Sequence, residues 1–552
     1  MDNARLIIAV GLSILIFIVW DYFFVGKKKV QQPKQQSQVG QQVEKAPQAP
    51  RKEQAAITVA PAQAAIQPQS ARPPRVITVN TPLYTVKISE KGAEFKNVIL
   101  KKYKQSITPG SPLYEMISPD TREGTVRLGF DRNSFAGLEQ AVFLTDLEPD
   151  AVDILEKPRD VSFLWKSPQG FMIKKTFIFA PETYLIGLSV TLANGSDQTF
   201  KDSMFVSLLQ PVAPKGSQLG FEGPSALINN AVEQVKAKKI KDQNVYPGKL
   251  KWLAIQDRYF ISAIIPDKPD EASMRLFLKE NDMLENQYLQ PESVINPGSQ
   301  LVFKYNLFFG PKSLSVLKKI GYDLNKAVNF GWFDLLAKPL VWIMNFLYDH
   351  FIPNYGVAII ILTIITKIIL WPLGTKSYKS MSEMKKIQPL MAGIREKYGK
   401  DKKKINEEMM ALYRTYKVNP LGGCLPMVVQ IPVFFALYRM LYEAIELRHA
   451  PFIGWINDLS APDRLFRFGF SIPFMQPPYG IPVLTIIMGI TMLVQQKMSP
   501  PPGDPAQAKM MMLMPVVFTA IFINFSSGLV LYWLVNNILS IAQQYYVSKK
   551  AA

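Results

Sequence analysis

Cysteine and histidine are scarce in this chain of 552 residues, which has one cysteine, Cys424, and two histidines, His350 and His449. A disulfide needs two cysteines, and a Cys/His zinc site needs about four ligands at short spacings, so neither can form within one chain. Both histidines flank long apolar segments, no Ser-His-Asp or Cys-His arrangement is apparent, and no Walker A or GxGxxG phosphate loop occurs. These absences argue against an enzyme and against a metal or nucleotide cofactor.

Acidic residues are the minority among the charges, with 44 Asp and Glu against 63 Lys and Arg, which gives a formal net charge of +19. Such a balance is typical either of nucleic-acid binding or of a membrane protein with basic cytoplasmic loops. A content of 48% hydrophobic and 19% charged residues favours a chain with both membrane and water-exposed parts. The positions of the basic residues decide between the two classes.

The first long apolar run is "LIIAVGLSILIFIVWDYFFV", which covers Leu6–Val25 and carries one charge, Asp21. About 20 apolar residues suffice to cross a bilayer, so we predict an N-terminal transmembrane helix over residues 1–26. A cleaved signal peptide is the alternative. The run is long for a signal peptide, and no small-x-small cleavage site follows it directly.

Two segments of different character follow. Residues 27–75 are rich in Gln, Pro and Ala and indicate a flexible linker. Residues 76–330 contain β-branched and aromatic runs such as "RVITVNTPLYTVKIS", separated by Pro, Gly and Asn. We therefore predict a large all-β sandwich domain without a catalytic signature.

The remainder of the chain is dominated by apolar helical patterns. Residues 331–352 are amphipathic and contain Trp332 and Lys338, which predicts a helix lying in the membrane interface, with a buried helix of the β domain as the alternative. Residues 353–548 form a predicted five-helix core, so the fold class is a polytopic α-helical membrane protein with six transmembrane helices. The five predicted core spans cover about 357–373, 421–442, 481–497, 510–525 and 528–546.

Basic residues are concentrated between the second and third spans, where residues 376–417 hold twelve Lys and Arg. The positive-inside rule places this segment in the cytoplasm, the β domain outside and the C-terminus inside. A local application of the rule to Lys27, Lys28 and Lys29 would reverse the first span. We give precedence to the larger cluster.

The same segment, 376–418, has helical periodicity and predicts a cytoplasmic hairpin of two amphipathic helices around the polar turn "GKDKKK", with Pro389 kinking the first helix. Its methionines would form either the hairpin core or an adaptable docking surface. Its basic residues would either set the topology or contact ribosomal RNA or anionic lipid. The second helix shows the spacing i, i+4, i+7, i+11 at Ile405, Met409, Leu412 and Tyr416.

Three long motifs carry a family resemblance. "KVNPLGGCLPMVVQIPVFFALYRMLYEAIELRHAPFIGWINDLSAPD", "GITMLVQQKMSP" and "MMLMPVVFTAIFINFSSGLVLYWLVNN" resemble the YidC/Oxa/Alb family of membrane protein insertases. The order of elements resembles the Gram-negative bacterial form of this family. This implies an inner membrane protein whose β domain lies in the periplasm. The resemblance implies insertion and folding of nascent membrane proteins through a hydrophilic groove open to cytoplasm and lipid. Implied partners are nascent membrane proteins, the Sec translocon, the ribosome and the lipid bilayer, with no cofactor.

The resemblance also implies which residues form the groove. Lys367 matches its basic residue, where Arg is common; Lys keeps the charge but lacks the planar fork of donors. Thr363 lies one helical turn before it, on the same face. Tyr532 and Trp533 match the aromatic pair that contacts clients, with lipid-facing or packing aromatics as the alternative. Further candidates for the polar lining, with interhelical hydrogen bonding as the alternative, are Gln430, Gln495 and Gln496.

A lysine within a span costs on the order of 3 kcal/mol on insertion scales. The middle of the predicted spans offers no carboxylate to pair with Lys367, so we expect water in a groove, or snorkelling to the cytoplasmic end, to satisfy its charge. A secondary transporter using Lys367 is an alternative, but repeated halves and intramembrane carboxylates are not visible. A polysaccharide-related protein acting through the β domain is the other alternative.

Overall fold

The computed structural model describes residues 72–117, 124–212, 220–280, 282–399, 401–416, 418, 425–499 and 505–551. The predicted N-terminal transmembrane helix and the predicted linker up to residue 71 lie outside the described residues. So does the segment "NPLGGC", which ends at Cys424.

The first half of the described chain is a β-rich domain, as predicted. Its strands are β1 (Val76–Asn80), β2 (Tyr84–Ser89), β3 (Glu94–Lys104), β4 (Leu113–Glu115), β5 (Arg127–Phe130), β6 (Ala151–Asp153), β7 (Arg159–Lys166), β8 (Phe171–Phe179), β9 (Leu185–Asn194), β10 (Phe200–Asp202), β11 (Met204–Pro211), β12 (Gly223–Ile228), β13 (Ala231–Gln234), β14 (Val245–Gln256), β15 (Phe260–Pro266), β16 (Glu271–Lys279), β17 (Met283–Leu289), β18 (Ser293–Ile295) and β19 (Gln300–Pro311).

These strands form a smaller sheet in the order β4-β3-β2-β1-β6 and a large sheet in the order β5-β11-β17-β16-β14-β15-β19-β9-β8-β7, with β12 and β13 beside β14. Strands β10 and β18 pair separately. Neighbours are antiparallel except β1 and β6, which are parallel.

Alternating side chains join the two sheets into one core. Strand β9, "LIGLSVTLAN", alternates between partly exposed and buried residues along its length, as a strand with one face on a core does. The ring of Phe95, on β3, lies 4.9 Å from that of Phe177 on β8 and 5.7 Å from that of Phe309 on β19. The smaller sheet therefore packs its aromatic residues directly onto the large one.

A buried carboxylate fastens the start of the domain. Glu90 accepts hydrogen bonds from Arg72 Nη1 and Nη2, each at 2.9 Å, and from the backbone N–H of Arg75 at 2.9 Å. Arg72 and Arg75 thus supply the positive charge that the Glu90 carboxylate needs when buried.

Acid is expected to weaken this attachment. Burial alone would raise the pKa of Glu90, but the hydrogen bonds and charges of Arg72 and Arg75 outweigh burial and lower it below its usual value of 4.5. Its stabilising contribution is therefore complete above pH 4.5 and is lost as the pH falls through the folded-state pKa. We expect Glu90→Gln to lower the Tm by a few degrees at pH 7, and we expect this effect to shrink as the pH falls below 4.5 and Glu90 of the native protein becomes protonated. Thermal unfolding of the native and Glu90→Gln proteins, measured from pH 7 downwards, checks this expectation. A difference in Tm that does not change with pH would contradict it.

Helices make up the second half of the described chain, with two β strands, β20 (Leu465–Phe468) and β21 (Tyr479–Ile481), between them. The α-helices are α1 (Leu314–Ile320), α2 (Asp334–His350), α3 (Tyr355–Lys386), α4 (Gln388–Tyr398), α5 (Lys402–Thr415), α6 (Leu425–Glu443), α7 (Val483–Met498), α8 (Pro505–Phe522) and α9 (Ser527–Ala551). Short 3-10 helices cover Leu138–Gln140, Ala237–Lys239, Leu324–Ala327, Gly331–Phe333 and Ile445–Leu447.

Helix α3 differs from the prediction, which ended span two at residue 373 and began a separate hairpin helix after it. Asn354 caps its start by accepting from the N–H of Val357, and the helix then continues for 32 residues through Pro372. It ends at Ile387 because Pro389 lies in the first turn of α4, a position that proline favours. Pro389 therefore begins a new helix; the predicted kink within one helix is wrong.

Helices α4 and α5 pack together through a small apolar cluster of their own. Met391 of α4, Met409 of α5 and Ile387, which directly precedes α4, are among its buried members, and Leu412 packs against them. Met410 is half exposed. The sequence left open whether these methionines form the hairpin core or an exposed surface. In the structure, some lie in the core between the helices and others lie on the surface.

Helix length and composition single out α3. Within the part of the chain that the structure describes, α3 is the helix that is both long and apolar enough to cross a membrane, while α7 and Ala508–Phe522 are apolar but shorter. Helix α2 covers most of the predicted interfacial segment. It buries Val341 and Met344 but leaves Leu335 and Trp342 exposed by 85% and 65%, which gives it two unlike faces.

The segment from 444 to 482 covers one end of the helical region. Asn354 Nδ2, before α3, donates to the carbonyl of Phe452 at 3.0 Å, and Ser527 Oγ, at the start of α9, donates to the carbonyl of Asp458 at 2.8 Å. The N–H of Leu484, at the start of α7, donates to Asp463. The N-terminal ends of α3, α7 and α9 therefore share one end of the bundle, with the C-terminal end of α6 beside them.

The β domain contacts this same end. Arg258 Nε donates to the carbonyl of Tyr442 at 2.7 Å, and its guanidinium lies 3.6 Å from the centre of the Tyr442 ring. Arg448 Nη2 donates to the carbonyl of Lys104 at 2.8 Å. Two arginines thus connect the end of α6 and the segment after it to the β domain.

Candidate functional site

Lys367 lies near the middle of α3 and points at α9. Its side chain is buried, with 9% exposure, and its Nζ donates to Ser540 Oγ at 2.7 Å. Ser540 Oγ in turn donates to the carbonyl of Asn536, one turn earlier on α9, at 2.7 Å. Among the described residues, no carboxylate lies within ion-pair distance of Lys367. A cation is therefore held inside the helical region by hydroxyl oxygen alone.

Helix α9 presents a polar stripe to this lysine, a feature that the sequence analysis missed. Its buried and partly buried polar side chains recur at intervals that place them on one side of the helix. The signal was present as the spacing of polar residues in an apolar helix, although spacing could not say which helix faces them. The members of the stripe are Asn536, Asn537, Ser540, Gln543 and Gln544.

The stripe fastens α9 to both neighbouring helices. Gln543 Nε2 donates to the carbonyl of Trp371 at 2.9 Å and to Thr375 Oγ1 at 3.2 Å, both on α3. Gly374 permits this approach, since a Cβ there would lie 2.8 Å from Gln543 Nε2. On the other side, Asn537 Nδ2 donates to Thr491 Oγ1 of α7 at 3.2 Å. Hydrogen bonds of this kind replace those that lipid cannot supply.

Thr363 and Gln430 occupy different surroundings. Thr363 is fully buried, and its hydroxyl donates to the carbonyl of Ile359 in its own helix at 2.6 Å. Gln430 Nε2 donates to Asn536 Oδ1 at 3.2 Å, and its side chain also lies beside the hydroxyl of Tyr532. Gln430 is thus joined to the α9 stripe, while Thr363 supports the helix that carries Lys367.

The two aromatic candidates of α9, Tyr532 and Trp533, have different surroundings. Tyr532 is buried, lies one turn before Asn536 and therefore continues the polar stripe. The Trp533 ring packs edge-on against Phe434 of α6 and against Phe522 of α8, with ring centres 4.6 and 4.9 Å apart. Trp533 is partly buried among these rings, so it belongs to the packing between α6, α8 and α9.

Of the two glutamines at the end of α7, Gln495 reaches the site. The Tyr378 hydroxyl of α3 lies beside the side chains of Gln495 and Ser540, which places Gln495 next to the partner of Lys367. Gln496 is partly exposed, and its backbone carbonyl accepts from the N–H of Ser499 at 3.2 Å. The structure thus brings Lys367, Gln430, Gln495 and Tyr532 into one connected polar network.

A cavity of about 350 Å³ adjoins this network on the side away from segment 444–482. Tyr378 belongs to both the cavity and the network, Gln544 of the α9 stripe also lines the cavity, and Lys385 adds a positive charge. The cavity is lined by Tyr378, Met381, Ser382, Lys385, Lys386, Met498, Gln544 and Ser548.

Apolar residues dominate the exposed surface next to the network. These are aliphatic and methionine side chains on α7, which also carries Thr491 and Gln495, and on α8. The exposed residues are Ile486, Ile487, Ile490 and Val494 on α7 and Met510, Met512, Leu513, Met514, Val516, Val517 and Ile521 on α8.

The side chains at this site can attract a charged or polar ligand rather than carry out a chemical reaction on it. Within the described ranges, no group of three or more His, Cys, Asp or Glu side chains is placed to hold a metal ion. A buried cation among hydroxyls and amides attracts carboxylates and polar backbone, and an apolar surface beside it accepts an apolar helix.

Two family models match the chain. The model described as the 60Kd inner membrane protein matches residues 346–552, and the model of the YidC periplasmic domain matches residues 76–343. Together they cover both the β domain and the helical region, the latter including all of the polar network.

Curated relatives are similar over most or all of the chain. The membrane protein insertase YidC of Syntrophobacter fumaroxidans is 44% identical over 482 residues, 86% of each chain. That of Pelobacter propionicus is 40% identical over 555 residues, 99% of each chain.

Solved structures are more distant. A crystal structure of an active YidC insertase with its first transmembrane domain resolved is 22% identical and covers 87% of this chain and 95% of that chain, with a TM-score of 0.38. A galactose mutarotase related enzyme from Lactobacillus acidophilus is 10% identical and covers 43% of this chain and 97% of that chain, with a TM-score of 0.32.

Proposed function

Because the chain belongs to the YidC family of inner-membrane protein insertases, which have a periplasmic domain, we propose that it receives nascent membrane proteins at the polar network between α3 and α9. It is an insertase and not an enzyme. The observation that carries the proposal is the pairing of Lys367 with Ser540, which holds a cation inside the helical region without a neutralising carboxylate among the described residues. The secondary-transporter alternative is not supported, since the relatives are insertases.

The proposed topology has six transmembrane helices, of which the first would cover residues 1–26. Helices α3, α6, α7, α8 and α9 would supply the five core spans, and α2 would lie in the interface. The Lys-rich hairpin of α4 and α5 and the C-terminus would face the cytoplasm by the positive-inside rule. The end covered by segment 444–482 would then be periplasmic, which agrees with its contacts to the β domain.

The proposed path starts at the cavity beside Tyr378, which would open to the cytoplasm. Lys367 would transiently attract an acidic or polar extracellular segment of the client part-way into the bilayer, which shortens the apolar distance that this segment must cross. The client's apolar helix would lie against α7 and α8 and pass from there into lipid. Hydrophobic partition, with the membrane potential for acidic segments, would drive insertion without a nucleotide.

Two partners remain proposals. The exposed lysines of the α4–α5 hairpin, such as Lys403 and Lys404, suit contact with the phosphates of ribosomal RNA. Cooperation with the Sec translocon is proposed from the family resemblance.

Photo-crosslinking tests the client path. Benzoylphenylalanine in place of Tyr378 keeps an aromatic side chain at the network, and ribosomes stalled at successive lengths of a single-span client supply the ligand. We expect an adduct at intermediate chain lengths that fades as insertion completes. The matched control is benzoylphenylalanine in place of Tyr545, which is 63% exposed on α9. Equal adducts at both positions, or an adduct at Tyr545 alone, would contradict the proposed path.

A further inference from the structure

A short β-hairpin between α6 and α7 has no role in the client path. It consists of residues 465–481, in which β20 and β21 pair through Leu465 with Ile481 and Phe468 with Tyr479, and we call it the aromatic hairpin. It contains four phenylalanines and no acidic residue. It belongs to segment 444–482, which covers the end of the bundle next to the β domain.

Hydrogen bonds hold the hairpin to the turn between α8 and α9. Arg464 Nη1 donates to the carbonyl of Ile523 at 2.8 Å, and Asn524 Nδ2 donates to the carbonyl of Phe474 at 2.8 Å. The N–H of Gln476 donates to Asn524 Oδ1 at 2.8 Å. The hairpin is therefore attached at a defined position and does not depend on its rings for attachment.

The rings themselves project outward. Phe474, Phe466 and Phe470 are exposed by 90%, 67% and 64%. Phe474 and Phe466 also adopt positive φ angles, 63° and 53°, which are strained for a bulky residue. Strain of this kind persists where the surrounding structure imposes it, and it is concentrated at functional sites. Here it turns two large apolar rings away from the protein.

The neighbouring surface indicates what covers these rings. Directly after the hairpin, α7 begins with Ile486, Ile487 and Ile490 exposed along a helix that would need lipid around it. Arg467 lies exposed between the phenylalanines, and phenyl rings beside a cation suit the boundary between acyl chains and phosphate headgroups. The hairpin and the first turns of α7 thus both expose apolar side chains.

We propose that the aromatic hairpin is a membrane anchor, whose phenylalanines enter the lipid leaflet at the β-domain end of the bundle while Arg467 contacts lipid phosphates. The anchor would set the depth of this end of α7 and of the α8–α9 turn in the bilayer. The proposal rests on membership of the membrane-protein family and not on the client path, so the crosslinking experiment and the experiment below can fail independently.

Spin-label accessibility tests the anchor in the full-length protein. Cys424 is the only cysteine, so Cys424→Ser allows single labels after Phe474→Cys or Phe466→Cys. The protein is reconstituted in vesicles of phosphatidylethanolamine and phosphatidylglycerol, and collision with oxygen is compared with collision with a water-soluble nickel chelate. The matched control is Leu155→Cys in the β domain, where the native residue is exposed by 67%, as Phe466 is.

We expect the ratio of oxygen to nickel accessibility at 474 and 466 to exceed that at 155 severalfold. A nickel accessibility equal to that at 155 would overturn the proposal because the rings would then lie in water. Protection from both reagents would also overturn it, since a protein partner would then cover the hairpin. Phe470→Cys, at a position without a positive φ, repeats the measurement if either strained position prevents folding.

Discussion

Replacement of Lys367 by leucine is expected to slow the insertion of clients with acidic extracellular segments on the order of tenfold, while clients with uncharged segments insert at nearly the native rate. The reason is that Lys367 is the buried cation of the network and offers hydrogen bonds beyond the one it makes with Ser540. A hydrogen bond to a charged group contributes about 1.5–3 kcal/mol, and about 1.4 kcal/mol corresponds to a tenfold change in rate.

The measurement is the insertion rate of matched clients that differ only in two acidic residues, in vesicles containing purified protein. Lys367→Arg keeps the charge and is expected to retain most activity, although its planar fork will not reproduce the geometry of an ammonium group. Lys268→Gln removes one charge from an exposed position in the β domain and should leave both rates unchanged. Equal slowing of acidic and uncharged clients by Lys367→Leu would show that the lysine serves folding rather than attraction.

Lys175→Met is expected to destabilise the β domain by about 3 kcal/mol. Lys175, on β8 of the large sheet, is 1% exposed, and its Nζ donates to the carbonyls of Gly92 at 2.7 Å, Ala93 at 3.3 Å and Val126 at 3.4 Å. Methionine has a similar length but no donor, so three buried carbonyls would lose a partner, at about 1–3 kcal/mol for each group left unsatisfied. Relief from burying a charge offsets part of this loss.

The neighbouring residue on the same strand supplies the control. Lys174 is exposed on the opposite face of β8, so Lys174→Met should change the free energy of unfolding little. Thermal unfolding of the full-length protein in detergent, followed by circular dichroism, measures both. A Lys175→Met protein as stable as the Lys174→Met protein would show that the three carbonyls find other donors.

The pH dependence gives a second readout for Lys175. Burial lowers the pKa of Lys175 to about 8, although the charge of Glu94 opposes the shift. Between about pH 8 and the ordinary lysine value of 10.5, the unfolded chain therefore binds more protons than the folded one, and stability contributed by this group rises with pH. We expect the difference between the native protein and Lys175→Met to widen across this range.

Several features of this protein followed from sequence because they depend on neighbours along the chain. The alternation of "LIGLSVTLAN" indicates a strand with one buried face wherever that strand lies, and β9 has that pattern. The long motifs of the helical region identified the family, which the relatives confirm. A lysine within an apolar run likewise stands out locally, because its cost arises from the surrounding apolar residues.

Continuity of helices was harder to predict. Pro372 and the change from apolar to basic residues suggested an end to span two, yet α3 continues from Tyr355 to Lys386. Proline removes one backbone donor and strains the preceding turn, but packing of the helix on both sides of Pro372 can outweigh that local preference. Fourteen residues after Pro372 remain helical, and this part of α3 is held by the buried Ser377 and by the hydrogen bond from Gln543 to Thr375.

The sequence by itself determined the strands, the apolar helices, the family and the presence of an unusual lysine at 367, since each rests on local pattern or on motifs. Only the tertiary structure decided that Ser540, 173 residues away, receives the Lys367 hydrogen bond, that Tyr532 joins the polar stripe while its neighbour Trp533 packs among phenylalanines, and that Thr363 bonds to its own helix. The physical reason is that consecutive residues of a helix point about 100° apart, so their roles depend on which helices pack around them. Packing between distant segments is a property of the folded chain and cannot be predicted from any one segment.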